Sequence, residues 1–170
     1  MEEPKLSPEF FSAVWKGLVS YRKVPRLVQR IAEGLGSRKI AIVATKTSFA
    51  DLKLSLLESG LFEEANISHV PPDALEQLAD TDLILLEYAA VHSDDTAAVR
   101  KKLSELLKHK DRRDGLIVYC KPPLRIPDGG GDSMYTVFGD TPNTVVVTQY
   151  GRLLNDILVM MMTTSNQKKG

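Results

Sequence analysis

The apolar positions of this 170-residue chain change period at Gly36. Before it, Phe11, Val14, Trp15 and Leu18 recur at helical spacing, behind a start signal in Ser7-Pro8-Glu9 with Ser as N-cap and Pro at the first helical position. Pro25 breaks the pattern. A second helix then carries Leu27, Val28 and Ile31 and stops at Gly34-Leu35-Gly36. After Gly36 the apolar residues come in short unbroken runs. "KIAIVAT" (39–45), "DLILLEY" (82–88), "GLIVYC" (115–120) and "TVVVTQ" (144–149) read as strands buried on both faces, and "NISHV" (66–70) as a weaker one.

Amphipathic stretches separate these runs. "SFADLKLSLLESGLF" (48–62) predicts a helix capped by Thr47 or Ser48 and stopped by Gly60. Pro71-Pro72-Asp73 opens a short helix, "ALEQLA". "DDTAAVRKKLSELLKHK" (94–110) is the clearest helix, with aspartates at its start and lysines at its end to match the dipole. "GRLLNDILVMMM" (151–162) is the last, and the tail from 164 is expected to fray. Strand and helix therefore alternate, which predicts a three-layer α/β fold: a five-stranded parallel sheet with helices on both faces. An N-terminal helical extension over 1–36 precedes the α/β domain at 37–163. The interruption is "KPPLRIPDGGGDSMYTVFGDTPN" (121–143), a long Pro- and Gly-rich loop where another helix is due.

Composition narrows the function classes. Lys+Arg and Asp+Glu both number 22, so the formal net charge is zero. That speaks against a dedicated nucleic-acid binder, although Arg22, Lys23, Arg26 and Arg30 form a local basic cluster. One cysteine, Cys120, allows no intrachain disulfide. No apolar run nears the roughly 20 residues that span a bilayer, and the acidic "MEEPKLSPEFF" is not laid out as a signal peptide. A soluble, cytoplasmic protein is the expectation.

The stretch "ALEQLADTDLILLEY" resembles a response-regulator receiver domain of the flavodoxin-like class: a short helix, then an acid opening a buried strand that ends on a carboxylate, Glu87. The resemblance covers 39–120 well and 121–163 in outline. The receiver's functional positions are not kept. Receivers hold magnesium with acids after the first strand, where this chain has Ala44, Thr45 and Lys46; the phospho-accepting aspartate is replaced by Glu87. The fourth strand ends on Tyr119-Cys120 rather than Thr or Ser, and the fifth on Thr148-Gln149 rather than lysine. The resemblance thus implies a pseudo-receiver without phosphorylation chemistry, a signalling or assembly module.

Candidate residues follow from the architecture. Ligands of open parallel sheets bind outside the carboxyl ends of the strands. Thr45, Lys46, Ser48, Glu87, Gln149 and Arg152 cluster there, with 121–143 as a lid, and would serve a nucleotide- or flavin-type binder or a nucleotide-processing enzyme. The plain reading of Glu87 is a hydrated strand terminus. The three histidines lack metal-ligand spacing, and neither a metal nor a cofactor is indicated. As a contact module, the chain would use Phe11, Trp15 and Leu18 of the first helix and Leu154, Ile157 and Met161 of the last. A protein partner or a homodimer would cover them.

Overall fold

The computed structural model describes residues 34–78, 80–126 and 134–167. The chain divides into two units, Met1–Leu35 and Gly36–Gly170. Of the helices expected over 7–34, residues 7–33 lie outside the described residues, and with them Phe11, Trp15, Leu18 and the basic cluster.

The second unit carries the sheet. Its strands are β1 (Ile40–Val43), β2 (Ile67–Val70), β3 (Leu83–Glu87), β4 (Gly115–Tyr119) and β5 (Thr144–Val147). All pair in parallel, in the order β2-β1-β3-β4-β5. This is the flavodoxin-like order, whose chain direction switches between β1 and β3. The helices are α1 (Lys46–Glu58), the single turn α2 (Tyr88–Val91), α3 (Thr96–His109), α4 (Met134–Gly139) and α5 (Tyr150–Gln167).

Two cores sandwich the sheet. On one face Ala41, Val43, Ile84, Leu86, Leu116 and Val118 pack with Val99, Leu103 and Leu106 of α3. On the other, Gly115 leaves room for Met160: a Cβ there would lie 2.5 Å from Met160 Cγ and 2.7 Å from Leu83 Cδ1. Leu85 lines a recess on that same face together with Leu52 and Leu56 of α1 and Leu153 and Ile157 of α5. The three central strands are buried throughout, as unbroken apolar runs require. β5 differs from expectation. It is an edge strand, and Val145 is 37% exposed.

Local chemistry sets the element ends. Thr45, not Thr47 or Ser48, is the N-cap of α1, and its side chain accepts from Ser48 N. Asp95 caps α3 through Ala97 N, 2.9 Å away. Asp82, just ahead of β3, accepts from Arg38 Nη1 at 2.9 Å and from Lys39 N at 3.0 Å, which ties the start of β3 to the start of β1. The expected irregular stretch 121–143 contains α4, whose Phe138 is buried in the α3-side core. Residues 164–167, expected to fray, are the end of α5, and Thr164 is buried with its hydroxyl on Met160 O.

Candidate functional site

Side chains alternate across a strand, so residues 83, 85 and 87 of β3 share one face, as do 115, 117 and 119 of β4. Gly115 and Leu83 meeting Met160 identifies this as the α1/α5 face. Glu87 and Tyr119 are register partners at the carboxyl ends of the two strands. The strand that ends on an acid therefore points it under α1 and α5.

The consequence is burial. Glu87 is 6% exposed, and its Oε2 has no hydrogen-bond partner among the described residues. The hydrated-terminus reading of Glu87 does not hold. α1 and α5, which arrive from distant parts of the chain, shield the strand end from water. A carboxylate oxygen buried without a donor is costly, so the atom calls for a partner.

Glu87 faces a cleft of about 410 Å³ with Ser48, Asp51, Tyr119, Lys121 and Tyr150. The cleft sits at the carboxyl ends of β3 and β4, where Glu87 and Tyr119 are register partners, with α1 and the start of α5 on its walls. Tyr119 and Tyr150 stand with ring centroids 6.0 Å apart and planes inclined by 58°. The Tyr150 hydroxyl is hydrogen-bonded to Ser55 Oγ, which fastens the start of α5 to α1. Burial foremost, then Tyr150, Glu87 and Cys120, push the Tyr119 phenol above its usual range. Beside the cleft lies a smaller apolar recess of about 210 Å³, walled by Leu85, Leu153, Leu154 and Ile157. Leu52, Ser55 and Tyr150 line both spaces.

Of the residues nominated from sequence, Ser48 and Glu87 line the cleft. Thr45, Lys46, Gln149 and Arg152 do not. The Thr45 hydroxyl is engaged with Ser48 through both Ser48 N and Oγ. Lys46 and Gln149 are exposed, and Arg152 reaches toward Asp156 at 3.8 Å. Asp51, Ser55, Tyr119, Lys121 and Tyr150 complete the site and were not nominated. A signal for two of them exists: Asp51 and Ser55 follow the nominated Ser48 at i+3 and i+7, a polar stripe on one face of α1.

The interface residues fare similarly. Ile157 and Met161 are buried inside the unit, and Leu154 is half-buried at the recess. Ile157 and Met161 are spent on the packing of the chain's own unit. Three consecutive methionines point different ways, since Met160 and Met161 are buried and Met162 is 51% exposed.

His69 is structural: its Nε2 lies 2.9 Å from Ala44 O and its ring 4.6 Å from that of Phe49. Cys120 is buried, and burial raises its thiol pKa despite a hydrogen bond from the backbone at Ile126 that lowers it. No described helix is long and apolar enough to cross a membrane. No protein-family model, no curated protein and no solved structure matches the chain.

Proposed function

We propose that this α/β domain binds a small molecule at the carboxyl edge of its sheet. The observation that carries the reading is Glu87: its Oε2 is buried without a hydrogen-bond partner among the described residues, and the residue lines a cleft at the carboxyl ends of β3 and β4. A purely structural acid at this place would be satisfied by its own chain. Cleft volume, two tyrosine rings and convergent hydroxyls fit a site of metabolite size.

The test is a thermal-shift and calorimetric screen of the full chain against nucleosides, nucleotides, flavins, amines and amidines. A ligand at 100 times its Kd adds about 2.7 kcal/mol to the folded state. Hits that fail to shift Glu87→Gln would place binding at the cleft. A panel without a single hit would refute the reading.

A receiver-like assembly module is the second reading. Its favouring observation is on α5, where Val159 is 53% and Met162 51% exposed on the side away from the sheet. Sedimentation equilibrium of the wild type against Val159→Lys decides it. Self-association lost in the variant supports the module; a monomer at all concentrations removes the homodimer.

A further inference from the structure

We infer that the cleft takes a ligand with a cationic, hydrogen-bond-donating head on a flat apolar body, the head on Glu87 and the body in the recess between α1 and α5. This rests on the small-molecule reading above and deepens it by naming the ligand class.

The polarity of the head follows from the lining. Glu87 and Asp51 supply two carboxylates against the single ammonium of Lys121. Glu87 is the deepest of the three, while Asp51 and Lys121 are exposed and hydrated. An unpartnered buried acceptor is satisfied only by a donor, and a charged donor makes the shorter and stronger bond. An anionic head would meet the opposite situation, brought beside a buried carboxylate whose Oε2 has no donor among the described residues. The N-terminus of α1, the natural phosphate seat of such a fold, does not rescue an anion. Thr45 already caps it, and neither Thr45 nor Lys46 lines the cleft. A metal ion is the other cationic option. Two carboxylates are too few for a hard cation, and among the described residues no group of three His, Cys, Asp or Glu side chains is placed to hold one.

The body follows from the recess. Leu85 and Glu87 lie on one face of β3, two residues and therefore about 6.5 Å apart. Leu85 walls the apolar recess and Glu87 the cleft, and Tyr150 lines both. A molecule whose charged head sits on Glu87 thus has an apolar surface within the length of one aromatic ring. The recess, at about 210 Å³, has room for such a ring, with Leu153 and Ile157 on its walls. Amidines, guanidines and amines on an aromatic or branched apolar body have this shape.

The discriminating pair is benzamidine and benzoate, which share a ring and differ in the sign of the head. Both are titrated into the full-length protein at pH 7, with amide-detected NMR to locate binding. Benzamidine is expected to bind at about 1 mM, as suits a fragment, and to shift the amides around Glu87, Leu85 and Tyr150. Benzoate is expected to bind at least tenfold more weakly. Glu87→Gln should weaken benzamidine at least tenfold. Asp51→Lys reverses an exposed charge without touching the core, and should weaken benzamidine and favour benzoate even if Glu87→Gln fails to fold. Benzoate or a nucleoside phosphate binding more tightly at these amides overturns the charge assignment and leaves the site reading intact. Benzamidine bound with undiminished affinity by both variants also overturns it. Absence of binding by every member of the wider panel sinks both readings together.

Discussion

Replacing Glu87 by Met should make the protein more stable and abolish the binding proposed for the cleft. The perturbation keeps an unbranched side chain of similar length and removes the carboxylate. In the wild type one carboxylate oxygen is buried without a partner, on a residue 6% exposed. Leaving such a group unsatisfied costs about 1–3 kcal/mol, and a thioether next to Leu85 and the two tyrosine rings adds apolar contact. The expected gain is therefore about 1–3 kcal/mol. Each kcal/mol moves the Tm of a domain this size by about 2–4 °C. The assay is urea unfolding at pH 7, read as a higher midpoint with an unchanged slope. Trading stability for a poised functional group is a recurrent pattern at binding sites. A Glu87→Met protein that is less stable than wild type by more than about 1 kcal/mol would refute the reasoning. It would mean that the carboxylate makes a stabilising bond within the chain, and the strongest support for the site would be gone.

Other outcomes follow from the same geometry. The Tyr119 phenol, raised chiefly by burial and in part by Glu87, stays protonated in the fold after an unfolded tyrosine has ionised near pH 10. Its contribution is thus complete below about pH 10 and is lost as pH rises through the folded value. Ultraviolet titration of the phenolate should show Tyr119 ionising earlier in Glu87→Met, and an unmoved titration would disconnect the pair. Gly115→Ala forces a Cβ to within 2.5 Å of Met160 Cγ and should cost about 1–3 kcal/mol by chemical denaturation. The cost should shrink when Met160 is shortened in the same chain. Asp82→Asn loses the charge that binds both Arg38 Nη1 and Lys39 N, and a melting experiment should register about 1–3 kcal/mol. Cys120, buried and with its thiol pKa raised, should react with a disulfide reagent only as fast as the fold opens, and at full rate in urea.

The chain's own residues decide the elements because those decisions are local. Apolar runs at 39–45, 82–88 and 115–120 leave neither face polar, and they became the buried centre of the sheet. Asp95 ahead of α3 and the lysines behind it mark a helix by chemistry confined to a few residues. Alternation of strand and helix, with five strands, was enough for the layer arrangement. The site was legible at only two positions. Ser48 and Glu87 stand at the strand ends, where the fold class alone puts ligands; Thr45 went to capping, and Arg152 points to Asp156.

What only the tertiary structure decided is the environment of each side chain. Glu87 looks hydrated in one dimension because it ends a strand, and is buried in three because α1 and α5, about a hundred residues apart in sequence, close over its face. The pairing of Glu87 with Tyr119 depends on strand register, which no local pattern specifies for strands buried on both sides. The apolar stripe of α5 gave no sign of its partner, since a stripe fixes that a surface is covered and leaves open by what; Ile157 and Met161 went to the sheet. Sequence sets which residues seek burial, and the packing of distant elements sets which polar atom is enclosed with them.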